Sequence, residues 1–202
     1  MLKLERINKI WPPLGGIVAL LITIFVIVSW SIGSSISELT LLYLLNLAVL
    51  MFHEFEEYVF PGGFQKFANT KSLLALPEPK HSEPISETVI AVINLGAWGF
   101  SILAVLFATI APWLGFGMII FNVVNILGHL IIFQKKAKGY NPGVVTAVLM
   151  IPFLIFSFVV IINQNLLSTG EYMIGVIIGF LLGISLPITG AIIRKRQITT
   201  KE

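Results

Sequence analysis

The sequence predicts an all-α membrane protein, a bundle of six transmembrane helices with both termini in the cytoplasm. Three observations lead there. Six apolar runs have spanning length, charge is nearly absent inside them, and the basic residues alternate from one connection to the next. Of the 202 residues, 56% are hydrophobic and 11% are charged, against about 25% charged in soluble domains. Charge this sparse cannot cover a water-facing surface, so the bilayer is the expected partner and solvent.

The runs are 13–33, 37–60, 86–109, 112–134, 142–163 and 170–193, all within one membrane domain, 1–202. Each can cross a hydrocarbon core of about 30 Å. Backbone groups in lipid must be paired internally, which calls for helices. In the first run, Lys3, Arg6 and Lys9 precede an apolar stretch from Leu14 to Trp30. That is longer than the usual signal-peptide core of about 7–15 residues, so a retained helix is expected. Pro12-Pro13, Pro61-Gly62-Gly63, Pro112 and Asn141-Pro142 mark run boundaries. The one long connection, 61–85, contains a mixed apolar and basic stretch from Phe64 to Leu76. It reads either as an amphipathic segment at the interface or as an ordinary loop. Pro77, Pro79 and Pro84 then keep the chain extended. In the last run Gly175, Gly179 and Gly183 form a small-residue stripe, suited to packing inside the chain or, less favourably, to a homodimer. Trp11, Trp30, Trp98 and Trp113 read as interface anchors.

Orientation follows from Lys and Arg. The N-terminus, the second connection (Lys66, Lys71, Lys80), the fourth (Lys135, Lys136, Lys138) and the C-terminal tail (Arg194, Lys195, Arg196, Lys201) are basic. The first, third and fifth connections carry no basic residue. The net charge of +3 therefore reports topology, not affinity for nucleic acid, and a multi-pass protein of the plasma membrane is expected. With no Cys, disulfides and thiolate ligands are excluded.

Ionisable groups inside apolar helices are costly and point to function. The second run contains His53-Glu54-Phe55-Glu56-Glu57. At about 100° per residue His53 and Glu57 lie about 40° apart, with Glu56 about 60° to the other side. Asn46 extends that face, whereas Glu54, about 100° from His53, reads as reaching the interface. The fourth run carries Asn122, Asn125 and His129 in one stripe; the third starts at Glu87, with Asn94 and Ser101 following; the fifth has Thr146 near its start. Given the topology, His53, His129, Glu87 and Thr146 fall within about 10 Å of one depth at 1.5 Å rise per residue. No Lys or Arg occurs from Trp11 to Gln65 or from Ile85 to Gln134, so the carboxylates there are protonated or share a cation. Two His and two or three carboxylates are a ligand set for a divalent transition metal, zinc first.

The motif His53-Glu54-Phe55-Glu56-Glu57 with Tyr58 and Pro61-Gly62-Gly63-Phe64 resembles the HXXEE-domain family of membrane proteins. Asn125-Ile126-Leu127-Gly128-His129 and Gly143-Val144-Val145-Thr146 are similar to that family's Asn-x-x-x-His and Gly/Thr motifs, with Ile126 where the family carries an Ala. The resemblance covers about 40–150. It implies a membrane protein of unknown function, with an enzymatic role suggested by the polar motifs.

The expectation is a metal-dependent enzyme, a hydrolase acting on a lipid or membrane-bound substrate at the cytoplasmic side. His53, Glu57 and His129 would hold the metal, with Glu87 as fourth ligand. Glu56 would be the general base, Asn125 would orient a ligand or polarise a carbonyl, and Thr146 would assist; Glu56 and Glu57 are interchangeable at this level. The alternative is an ion- or proton-coupled transporter using the same cluster, with Asn46, Asn94 and Asn122 extending a path inward.

Overall fold

The computed structural model describes residues 2–72, 84–137 and 139–199; Pro77, Pro79, Lys80, Lys138 and Lys201 lie outside them. Every element among the described residues is helical. The helices are α1 (Leu2–Ser31), α2 (Glu38–Tyr58), α3 (Phe64–Lys71), α4 (Glu87–Leu106) and α5 (Pro112–Leu127). A π-helical stretch, Gly128–Phe133, prolongs α5 into α6 (Gln134–Ala137), and α7 (Val144–Asn163), α8 (Thr169–Gly183) and α9 (Ser185–Thr199) follow. Six helical segments are long and apolar enough to cross a membrane: Asn8–Ser31, Glu38–Tyr58, Glu87–Leu106, Pro112–Phe133, Val144–Asn163 and Thr169–Arg196.

Local chemistry explains several starts. Ser37, Ser86 and Ser168 each accept a backbone N–H of the first turn of α2, α4 and α8, with Glu38, Glu87 and Glu171 in those turns. Carboxylates there complement the helix dipole. Pro112 opens α5 at a position whose N–H needs no partner. Pro12 and Pro13 do not begin a helix: α1 runs through them from Leu2. Their ring-fixed φ is already helical, and the cost is the lost i→i−4 bonds.

Helix α2 is the most enclosed span, flanked by α1, α4, α5 and α7. Its buried face carries Asn46, His53, Glu54, Glu56 and Glu57. Asn122 Nδ2 donates to Asn46 Oδ1 at 2.9 Å, and the Tyr43 hydroxyl donates to the Pro112 carbonyl at 2.7 Å, tying α2 to α5. Of the stretch from Phe64 to Leu76, Phe64–Lys71 is helix α3 and not an ordinary loop, and 73–76 lie outside the described residues. Phe64, Phe67 and Ala68 pack with Trp11, Ile85, Ile90 and Ala137, and Asn69 pairs with both backbone groups of Ile85 at 2.8 and 2.9 Å.

The glycine stripe of α8 is used inside the chain. A Cβ on Gly175 would stand 2.9 Å from the Trp113 carbonyl oxygen, and one on Gly183 would stand 2.6 Å from Val124 Cβ. The face expected to offer a homodimer surface is therefore occupied by α5, because small residues let these two helices approach closely. Trp11 and Trp98 also depart from the anchor reading. Trp11 is buried, and its ring packs against Tyr58 and Trp98 with centroids 5.3 and 5.5 Å away.

Candidate metal centre

His53 and Glu57 stand one turn apart on α2, and His129 enters from the π-helical stretch. A π-helical turn widens the helix by one residue per turn and recurs at functional sites. Ligand atoms of the three residues lie within 4.8 Å of one another, and all three side chains are buried. Glu57 Oε1 is 3.1 Å from His129 Nε2 and 3.7 Å from His53 Nε2. Ligands on a tetrahedral metal with bonds of about 2.0–2.2 Å are separated by roughly 3.3 Å, so the spacing is close to what coordination requires.

The surrounding hydrogen bonds decide which ring nitrogens face inward. Asn141 Nδ2 donates to the His129 carbonyl at 2.8 Å, which leaves Asn141 Oδ1 to accept from His129 Nδ1–H at 3.1 Å. The Thr146 hydroxyl donates to Glu56, so its oxygen accepts from His53 Nδ1–H at 2.9 Å. Both rings thus carry the proton on Nδ1, and each Nε2 has no hydrogen-bond partner. Metal-binding His residues are typically oriented in this way by a partner on the other nitrogen. Phe64 and Phe133 flank the His129 ring, with centroids 5.7 and 5.2 Å away.

Gly143 makes the approach of α7 possible. It has φ +95°, and a Cβ there would stand 2.6 Å from His129 Cε1 and 2.8 Å from His53 Cε1. A bare α-carbon in the left-handed region is what this position demands.

The remaining acidic residues separate by role. Glu56 lies behind His53, where one oxygen accepts from the Tyr140 hydroxyl at 2.6 Å and from Val145 N–H at 3.1 Å. The other accepts from Thr146 N–H at 2.6 Å and from the Thr146 hydroxyl. Three donors at the start of α7 and the Tyr140 hydroxyl just before it occupy both oxygens, so Glu56 is a brace between α2 and α7 and has no lone pair left for a base. Burial, and then the bond to Glu56, push the Tyr140 phenol well above its usual range, which keeps it a donor. Thr146 likewise orients His53 and does not face the cluster centre. Glu87 is not a fourth ligand. It is exposed at the start of α4 and accepts from Asn8 Nδ2 at 3.3 Å. Glu54 does not reach the interface: it is buried, and one of its oxygens accepts from the Trp98 indole N–H while the other has no partner.

Two cavities adjoin α2. The larger, about 570 Å³, lies between α2 and α7 and is lined by apolar groups such as Val49, Phe52, Leu149 and Met150 together with Glu56 and Tyr140. Those two polar groups are bonded to each other. The smaller, about 120 Å³, has Glu54, Glu57, Tyr58, Asn94 and Asn125 in its lining. Asn94 Nδ2 donates to the Tyr58 hydroxyl at 3.1 Å, and that hydroxyl lies beside Glu57. The sequence reading misses Asn141, Tyr140, Tyr58 and Trp98. The only signal for Asn141 is its place in a polar Asn-Pro-Gly turn at the depth of the two His residues.

A family model described as a protein of unknown function with HXXEE motif matches residues 44–157. The match runs from the second turn of α2 into α7 and includes His53, Glu57, His129, Asn141 and Thr146. No curated protein and no solved structure matches the chain.

Proposed function

Since the chain belongs to the HXXEE family, whose model spans more than half of it, we propose from the geometry that it is a metal-dependent membrane enzyme of hydrolase type. His53, His129 and Glu57 hold the metal, with zinc the best fit to two imidazoles and a carboxylate. One observation carries this reading. Two inward Nε2 lone pairs and a Glu57 oxygen converge without a donor between them. A shared proton would join His129 to Glu57 and leave His53 Nε2, 3.7 Å from Glu57, unmet. A divalent cation satisfies all three at once.

Three protein ligands leave a position open to substrate, the arrangement of catalytic and not of structural zinc sites. A bound ion supplies Lewis acidity to a water or a carbonyl. The chain's own contribution is to exclude bulk water from His53 and His129, to fix both tautomers through Thr146 and Asn141, and to present Glu57 to the cavity shared with Tyr58 and Asn125. The transporter alternative loses support because Asn46 and Asn122 bond to each other and Asn94 to Tyr58. Three of the deep amides thus tie helices together.

Protein purified without chelator is expected to carry about one zinc-group ion per chain by elemental analysis, removable by a strong chelator and restored by added zinc. Protein that neither retains nor takes up a divalent ion sinks the metal reading and returns the cluster to proton transfer.

The same reading takes the chain as one multi-pass domain of the plasma membrane with both termini cytoplasmic, the support being the alternation of basic connections. A reporter fused after Glu202 is expected to be active only in its cytoplasmic form, and one inserted near Thr169 only in its external form. An external C-terminus would remove the cytoplasmic placement of the site.

A further inference from the structure

Resting on the metal reading, we infer that the substrate is an amphiphile whose acyl chain enters sideways from the bilayer, between α4 and the α8–α9 junction, and whose polar group donates a hydrogen bond to Glu54.

The cavity beside Glu57 combines a polar floor with apolar walls that include Phe121, Phe133 and Leu182. On that floor Glu54 is about 1% exposed, and its Oε1 has no partner while Trp98 holds the other oxygen. A buried acceptor left unpaired is costly. The cost is recovered when a ligand brings an N–H or O–H to it. The larger cavity across α2 has no such group, since Glu56 and Tyr140 already pair with each other.

A second hollow, about 160 Å³, adjoins the first and shares Ile93, Phe121, Leu182 and Ser185 with it. Its remaining lining is Val92, Gly96, Ala97 and Phe100. The space has a sequence origin on both sides. Gly96 puts no side chain into it, and nothing lies within 4 Å of where a Cβ would be. Opposite, Leu182 and Ser185 line the hollow from either side of Ile184, where α8 passes into α9. Val92 and Phe100 are exposed on the outer rim. Both α4 and the Thr169–Arg196 segment are of membrane-spanning character, so hydrocarbon lies outside this rim. A hydrocarbon chain fits the hollow, and its polar end then meets Glu54, Asn125 and the open side of the metal centre. A water-soluble substrate would have to cross lipid to reach the same opening.

The test uses the full chain in phosphatidylcholine nanodiscs, loaded with Co²⁺, whose visible spectrum reports the ligand set. Acetohydroxamate and dodecanohydroxamate are the probes, because the hydroxamate chelates the ion and carries an N–H. Affinities are compared between wild type and Gly96→Leu, a ratio that cancels partition of the longer probe into the disc. The ratio is expected to be near one for acetohydroxamate and about tenfold or more in favour of wild type for the dodecyl probe, because a leucine side chain fills space in which the hydrocarbon would otherwise be buried. Gly96→Ala, with one added carbon in open space, should fall between them. The cobalt spectrum of each variant before probe is added serves as the check of folding. N-methylation of the dodecyl probe is expected to weaken wild-type binding by about tenfold, through the lost donor to Glu54. A wild-type protein with no bound-cobalt spectrum overturns the metal centre and this inference with it. A normal spectrum with a ratio of one at both chain lengths overturns the lateral entry alone, and equal binding of the N-methylated probe overturns the role of Glu54.

Discussion

Glu57→Gln is expected to lower zinc affinity by more than about 100-fold while the metal-free protein unfolds at the same temperature or higher. Losing even an outer hydrogen-bond partner of a metal ligand costs 10–100-fold, and the direct ligand should cost more. Stability should hold because Glu57 Oε1 faces two lone-pair nitrogens, 3.1 and 3.7 Å away. Removing its charge relieves that crowding at constant volume. Glu56→Gln is expected to behave in the opposite way. Glu56 accepts four hydrogen bonds, two on each oxygen. The amide would turn an NH2 group towards one pair of donors, at about 1–3 kcal/mol for each donor left unmet. Its metal affinity should fall only through a loosened Thr146 and His53, by about 10–100-fold. Zinc competition titrations and thermal unfolding on the same samples distinguish the two carboxylates. Equal behaviour of the two variants would mean that the division into ligand and brace is wrong.

Gly143→Ala is expected to destabilise the protein by about 2–5 kcal/mol and to remove tight metal binding. Two costs add. An alanine at φ +95° carries roughly 1–2 kcal/mol of backbone strain. Its Cβ would also press on both imidazoles, 2.6 Å from His129 Cε1 and 2.8 Å from His53 Cε1, and overpacking of this kind adds about 1–3 kcal/mol. Gly63 supplies the comparison, since it has the same φ of +95° and nothing within 4 Å of a would-be Cβ. Gly63→Ala should therefore show the backbone cost alone and keep its zinc affinity. Loss of metal from Gly63→Ala, or its retention by Gly143→Ala, would show that the close approach of α7 does not shape the site.

The family match and the helical architecture agree with the sequence reading, and the reasons are specific. Spanning length and sparse charge act on each segment separately, so the six spans can be read without knowing their neighbours. Cap residues work over one turn, which is why the start of α2 at Ser37–Glu38 is also readable. Prolines mislead at 12–13, because a helix can carry them where a neighbouring stretch supplies its packing.

Side-chain partners belong to another level. Depth is a one-dimensional quantity, fixed by counting residues from a span end, and it already brings His53, His129 and Thr146 to one level. It does the same for Glu87, which the fold sends to Asn8 instead. Glu56 and Glu57 are adjacent in sequence and about 100° apart on the helix, and composition cannot say which of them turns towards His129. That choice is made by the placement of α7 and of the π-helical stretch around α2. The first puts two N–H groups and the Thr146 hydroxyl on Glu56, and the second aims His129 Nε2 at Glu57. Membrane character, the number of spans and most of the polar residues inside them depend on local composition, so they can be read before the chain folds. Which of those residues meet is settled in three dimensions, because hydrogen bonds act over about 3 Å between segments far apart in the chain.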